Sequence, residues 1–203
     1  MVWSYAAHPT LISRNSSVAD GDYPARVAAI LEDQAGFDQV MFLPGKTAHA
    51  TVATQRHPDR AAEMLTHALR GLITIADNQR TTEVALATQA IALPDLDPRL
   101  PLIRPWVASR WLSRWAGSSL ARVHLLRLGP ITLTFVSGEV SNALVPSRNG
   151  NPWVVSLAGS GLGYLVAPED TARTPERPLV VLRRAERAQM GQLLRILAGA
   201  KGP

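Results

Sequence analysis

Short apolar runs alternate in the first third of the chain with longer segments whose apolar residues recur every three or four positions. A run at residues 2–7 predicts a buried strand, and a second run at 39–45, closed by a Pro-Gly pair, predicts another. Residues 23–35 and 58–77 have helical spacing instead. Asp22 directly precedes the first of these helices and is expected to be its N-cap.

The rest of the chain is richer in strand-like segments. Residues 82–94 predict one strand, and residues 120–139 predict two strands joined at a Gly-Pro pair. A buried strand from residue 152 runs into a glycine-rich loop, and helical spacing over 182–200 predicts a closing amphipathic helix. Helices and strands therefore interleave, which is typical of the α/β class, here with a mixed sheet and flanking helices.

The composition is that of a globular chain and excludes several classes of protein. Hydrophobic residues make up 46% and charged residues 18%, and no apolar stretch approaches the length of a membrane-spanning helix. The lack of cysteine excludes disulfides, thiolate metal sites and cysteine nucleophiles. The start of the chain has no basic segment followed by an apolar one, so no signal peptide is predicted. One domain over residues 1–203 suits this length.

The net charge of +5 is unevenly distributed. Residues 1–98 hold 7 basic and 11 acidic side chains, whereas residues 99–203 hold 14 basic and 5 acidic ones. This basic half suits either an anionic lipid surface or a solvated arginine-rich face. Within it, arginines interleave with Trp106, Trp111 and Trp115, which indicates either a lipid-facing rim or ordinary packing. No base-reading module accompanies them, so nucleic acid is not an expected partner.

Several familiar catalytic motifs are absent from the sequence. The segment "GSGLGY" (159–164) has Tyr164 where a dinucleotide-binding loop requires its third glycine. The chain has no Walker loop and no serine flanked by glycines two residues away on both sides. His57 and His67 lack the spacing of a zinc-peptidase helix.

Three residues remain that share one predicted setting. His8, Glu139 and Tyr164 are each expected where a buried strand passes into a loop, and such positions are where sites assemble in α/β sheets. Imidazole and carboxylate are ordinary zinc ligands, and a phenolate oxygen can complete the coordination sphere. A hydrogen-bonded structural histidine, a helix-capping glutamate and a packed tyrosine ring are the alternatives. The residues alone therefore indicate an α/β domain with a candidate metal site.

An ordered series of short segments extends from about residue 2 to about residue 176. The segment "YAAHPT" is followed, fourteen residues after its histidine, by the aspartate of "GDYP", then by "FLPG", "LRLGPITLTFVSGE" and "GLGYLVAPED". Their order and separations resemble the latter part of the catalytic domain of neutral/alkaline (non-lysosomal) ceramidases. The resemblance implies a partial ceramidase-like catalytic domain and zinc-dependent hydrolysis of an N-acyl sphingoid lipid to sphingosine and a fatty acid.

The resemblance also implies residue roles. His8, Glu139 and Tyr164 match three zinc ligands of the family, in which metal-bound water attacks the amide carbonyl. Tyr164 would alternatively stabilise the developing oxyanion. Asp22 matches an aspartate that fixes a loop. Thr51 is the polar residue that remains where the family has an active-site loop motif, and is a second candidate catalytic residue beside Tyr164.

The chain also departs from the family. The first histidine ligand of the family lies upstream of the matched part, and Ala48-His49 replaces a Gly-Asp pair of the loop. Three hypotheses stay open: a zinc hydrolase, complete in reduced form or completed by a second chain; a non-catalytic ceramidase-like scaffold or lipid-binding protein; or a fragment of a longer open reading frame. A lipid or other amide substrate, peripheral membrane contact through the three tryptophans and a secreted or periplasmic location are what the resemblance implies.

Overall fold

The computed structural model describes ten stretches of the chain. They are residues 1–13, 15–48, 52, 57–75, 83–92, 96–98, 120–142, 153–159, 164–166 and 181–184. The chain forms two compact units, a first unit of Met1–Pro44 with Ala50–Arg80 and a second unit of Gly45–His49 with Thr81–Pro203. The predicted mixed α/β class is confirmed. A single domain over residues 1–203 stays a prediction.

Two strands and two helices make up the regular structure in the described residues of the first unit. Strand β1 is Val2–Tyr5, helix α1 is Asp22–Ala35, strand β2 is Met41–Pro44 and helix α2 is Pro58–Ile75. The two strands pair in parallel, with Val2 opposite Met41 and Tyr5 opposite Pro44. Parallel neighbours cannot be joined by a tight hairpin, and α1 lies in the crossover between them.

The ends of α1 follow from local chemistry, although the predicted N-cap is one residue off. Asp22 is the first helical residue, and Gly21 before it provides no side-chain cap. Asp22 has a φ of 55°, a left-handed conformation that aspartate tolerates better than most residues. The helix ends at Gly36, whose φ of 69° fits the left-handed cap for which glycine is preferred.

The core of the first unit combines aromatic and aliphatic side chains. Its buried members are Trp3, Tyr23, Val27, Leu31, Val40, Ala61 and Ala62. Spacings of four residues between Tyr23, Val27 and Leu31 place these side chains on one face of α1. Complete burial of a valine or leucine stabilises the fold by about 1.5–3 kcal/mol each, so this face anchors the start of α1.

The second unit consists of eight strands in its described part. They are β3 Val84–Ala92, β4 Leu96–Pro98, β5 Leu120–Leu128, β6 Ile131–Val136, β7 Glu139–Val140, β8 Trp153–Val155, β9 Tyr164–Val166 and β10 Val181–Arg184. One four-stranded sheet has the order β3-β5-β6-β8, and a second has the order β4-β10-β9-β7. Both sheets contain parallel and antiparallel pairs, which confirms the predicted mixed pairing.

The predicted helix over 182–200 is wrong at its start. Val181–Arg184 forms β10, which pairs antiparallel with β4 and parallel with β9. A short apolar run is ambiguous between helix and strand, and here the two flanking strands decide the outcome. Residues 185–200 lie outside the described part of the chain. In the described part, no helix is long and apolar enough to cross a membrane.

Candidate functional site

Glu139 and Tyr164 are direct partners across two parallel strands. Strands β7 and β9 pair with Glu139 opposite Tyr164 and Val140 opposite Leu165. Val140 and Leu165 are both buried, and because side chains alternate along a strand, Glu139 and Tyr164 share the other face. Neighbouring strands lie about 4.8 Å apart. Two residues that are 25 positions apart in the sequence therefore present a carboxylate and a phenol side by side.

The setting of these two residues differs from the predicted one. Glu139 and Tyr164 each begin a strand, whereas the sequence placed them where a strand ends. The glycine-rich segment follows β8 in the sequence, as predicted, and Tyr164 begins β9 directly after it. His8 does follow a strand, three residues after β1 ends at Tyr5. His8 belongs to the first unit, and Glu139 and Tyr164 belong to the second.

A sharp corner places Glu139 at the start of β7. The chain leaves one sheet at the end of β6 and enters the other at β7 after only Ser137 and Gly138. Gly138 has a φ of 113°, a backbone conformation that residues with a side chain rarely adopt. The Oε2 atom of Glu139 is buried. A two-residue link of this kind leaves the glutamate little freedom to move along the strand.

Two buried serines hold this corner against the segment that follows β8. The Ser137 hydroxyl donates to the Ala158 carbonyl at 2.8 Å, and the Val140 N–H donates to the Ser156 hydroxyl at 3.3 Å. Backbone N–H groups of Leu157 and Ala158 also donate to carbonyls of the corner. Sequence reasoning missed both serines.

Removal of the Ser137 hydroxyl is expected to loosen this corner. In Ser137→Ala the Ala158 carbonyl loses a short hydrogen bond in a buried setting, which should cost about 1 kcal/mol in the free energy of unfolding. Urea denaturation followed by circular dichroism measures the change. The exposed Ser4→Ala is the control and should stay within about 0.5 kcal/mol of the parent. Equal destabilisation by both variants would contradict this role for Ser137.

The loop after β2 reaches β7 within the second unit. The Ala48 N–H donates to the Val140 carbonyl at 3.3 Å. Its neighbour Thr47 is fully buried, and the Thr47 hydroxyl has no hydrogen-bond partner in the described part of the chain. Burial also lowers the pKa of Lys46. The predicted candidate Thr51 lies outside the described residues and stays a prediction, and Thr47 is the hydroxyl of this loop that the structure places near β7.

The segment that carries His8 is held by the start of α1. The Asp22 carboxylate accepts hydrogen bonds from the N–H groups of Leu11 and Ile12 at 2.7 and 2.9 Å, so Asp22 fixes this loop as the resemblance implied. The Tyr23 hydroxyl donates to the Ala7 carbonyl at 2.7 Å. Burial, with smaller contributions from Tyr5 and Asp22, raises the pKa of Tyr23 above its ordinary value, so this phenol keeps its proton.

A salt-bridged arginine supports the turn before α1 from outside. Asp20 accepts hydrogen bonds from the Arg26 guanidinium at 2.6 Å and from the Asp22 N–H at 2.7 Å. These two bonds, the one from Arg26 first, lower the pKa of Asp20. Arg26 also contacts Asp59 at the start of α2. The position of Asp22 is therefore fixed through its backbone as well as through its side chain.

Two predicted features remain, the tryptophan-rich segment and the metal-ligand set. Trp106, Trp111 and Trp115 lie outside the described residues. Within the described ranges, no three histidine, aspartate or glutamate side chains come together in a way that could hold a metal ion. The predicted ligand set is not a cluster of this kind, because its three members are an imidazole, a carboxylate and the phenol of a tyrosine. The assignment of His8, Glu139 and Tyr164 as ligands stays a prediction.

Comparison with known proteins identifies the fold. No protein-family model and no curated protein matches the sequence. A solved neutral ceramidase from Pseudomonas aeruginosa is similar in structure, with a TM-score of 0.62 and 10% identity over 98% of this chain and 43% of that one. A ceramidase complexed with C2 has a TM-score of 0.66 and 10% identity over 98% of this chain and 45% of that one. The chain thus has a ceramidase-like fold and spans less than half the length of either structure.

Proposed function

We propose that the protein is a zinc-dependent amide hydrolase that cleaves an N-acyl sphingoid lipid into sphingosine and a fatty acid. One observation carries the proposal: Glu139 and Tyr164, two of the three expected ligands, are direct partners on neighbouring parallel strands. The ceramidase-like fold supports the same reaction class. The reaction adds water across the amide, so that the C–N bond breaks, the acyl carbon gains the hydroxyl and the nitrogen gains the proton.

The side chains have the donor chemistry that zinc requires. A carboxylate and a phenol on adjacent strands offer two oxygen donors, and an imidazole adds a nitrogen donor. We propose His8, Glu139 and Tyr164 as the residues that would hold the ion. Zinc bound there would supply Lewis acidity toward the amide carbonyl and acidify water.

The residues of the chain have distinct roles in this proposal. Glu139 provides the negative charge of the site, held in register by the Ser137-Gly138 corner. Tyr164 either completes the ligand set or donates its hydroxyl proton in a hydrogen bond to the amide oxygen as negative charge develops there. The second role would leave Tyr164 protonated and the first would favour its phenolate form, so the pH dependence of hydrolysis distinguishes them.

The proposed function is tested by metal removal. The purified chain should release fatty acid and sphingosine from a short-chain ceramide in detergent micelles. Treatment with a chelator should abolish release because Lewis acidity is lost, and addition of zinc, but not of magnesium, should restore it. The measurement is fatty-acid release by chromatography, with the chelator-treated chain as its own control. Absence of release from the zinc-loaded chain, or release that survives chelation, would sink the proposal.

A further inference from the structure

Apart from a single β-bridge at His8, the segment that carries this residue has no regular secondary structure, so its conformation depends largely on contacts from outside. It leaves β1 after Tyr5, and the Thr10 N–H donates to the His8 carbonyl at 3.0 Å, which closes a tight turn around Pro9. A turn of this kind fixes the backbone at one point but not the direction from which the segment enters or leaves. The imidazole is half-buried, and its Nε2 atom is buried.

Two consecutive residues of α1 hold this segment on both sides of His8. Tyr23 donates its hydroxyl to the carbonyl of Ala7, the residue directly before His8, at 2.7 Å. The Asp22 carboxylate accepts hydrogen bonds from the N–H groups of Leu11 and Ile12, which lie three and four residues after His8. Because Asp22 and Tyr23 are adjacent at the start of one helix, the two contacts are mechanically linked. Rotation or translation of the segment would break at least one of them.

The Tyr23 ring is itself rigidly held. It is completely buried, and its ring centroid lies 6.4 Å from Trp3, 6.2 Å from Tyr5 and 6.0 Å from Phe42, each pair in an edge-to-face arrangement. A ring packed in this way cannot follow a moving carbonyl, so the hydroxyl defines a fixed point for Ala7. Tyr5 belongs to the same aromatic group but is exposed over 37% of its surface.

We propose that Tyr23 is a positioning residue for His8, acting through the Ala7 carbonyl so that the imidazole is preorganised for zinc. This inference rests on the proposed function, in which His8 is a zinc ligand. A ligand that must be ordered when the ion binds loses affinity, and removal of groups that orient metal ligands lowers affinity by about 10–100-fold. The hydroxyl of Tyr23, rather than its ring, is the group that performs this role.

Tyr23→Phe tests the inference because it removes the hydroxyl and keeps the ring. Zinc affinity, measured by competition with a chromophoric chelator, should fall about 10-fold in Tyr23→Phe. The visible spectrum of the cobalt-substituted chain should change as well, because it depends on ligand geometry. Tyr5→Phe is the matched control from the same aromatic group and should bind zinc and cobalt as the parent does. A purely structural hydroxyl would shift the urea midpoint of Tyr23→Phe without changing the cobalt spectrum.

Two further variants separate the failure of this inference from the failure of the proposed function. Asp22→Asn alters the other contact and should weaken zinc binding in the same direction as Tyr23→Phe. His8→Ala should bind zinc much more weakly than either variant. If His8→Ala weakens binding while Tyr23→Phe and Asp22→Asn do not, only the positioning role is overturned. If His8→Ala binds zinc as the parent does, both the ligand assignment and the positioning role are overturned.

Discussion

Glu139→Gln is expected to lower ceramide hydrolysis by about 100-fold or more and to reduce bound zinc in parallel. The substitution keeps the size of the side chain but replaces a carboxylate by a neutral amide, which is a poor zinc ligand. Changes in residues that only orient metal ligands already cost about 10–100-fold in affinity or activity. Loss of a ligand itself should therefore cost at least as much. The measurements are fatty-acid release and zinc content of the purified chain.

The position of Glu139 allows a sharp control for this experiment. Glu63→Gln makes the same chemical change at an exposed position of α2 and should leave hydrolysis and zinc content unaltered. Tyr164→Phe removes the cross-strand phenol oxygen and should lower hydrolysis in the same direction as Glu139→Gln. If Glu139→Gln retained full zinc content and full hydrolysis, Glu139 would not be a ligand, and the pairing of Glu139 with Tyr164 would be a structural feature only.

Local chemistry made both helices predictable. The first helix was expected over residues 23–35 and is Asp22–Ala35, one residue longer. The second was expected over 58–77 and is Pro58–Ile75. Periodic apolar residues and a terminal glycine act within a few positions of each other, so the sequence contains the information directly. The same holds for β1 and β2, whose apolar runs and intervening helix specify a parallel pair.

Strand partners in the second unit depend on contacts between distant residues. The start of the predicted last helix becomes part of β10 because β4 and β9 lie on its two sides, and β4 itself was not predicted. The register that places Glu139 opposite Tyr164 has the same origin. Sequence patterns identify which side chains could form a site, but the register that brings a carboxylate next to a phenol is decided by the sheet.

Asp22 illustrates the same limit at a single residue. Its position before an apolar periodic segment predicts an N-cap, and the resemblance implies a loop-fixing role. In the structure its carboxylate accepts the N–H groups of Leu11 and Ile12, and its neighbour Tyr23 holds Ala7. Propensity describes the helix end correctly to within one residue, whereas the contacts ten and eleven residues upstream depend on how the segment folds back.

Asp22→Ala is expected to destabilise the protein strongly. The carboxylate accepts three N–H groups, from Leu11, Ile12 and Tyr23, and the residue is 3% exposed. Hydrogen bonds to charged groups contribute about 1.5–3 kcal/mol each, with part of the loss recovered by water at the loop. Alanine at a φ of 55° adds about 1 kcal/mol of strain. Together these effects should lower the free energy of unfolding by about 3–5 kcal/mol.

The thermal midpoint measures this loss. For a chain of this size, 1 kcal/mol corresponds to about 2–4 °C, so Asp22→Ala should lower the midpoint by about 6 °C or more. Asp22→Asn keeps one acceptor oxygen and tolerates the left-handed conformation, and should lose less than Asp22→Ala. Asp33→Ala, at an exposed position of the same helix, should stay within about 0.5 kcal/mol of the parent. If Asp22→Ala and Asp33→Ala had the same thermal midpoint, the Asp22 carboxylate would not hold the loop. Its hydrogen bonds from Leu11 and Ile12 would then contribute nothing to the free energy of unfolding.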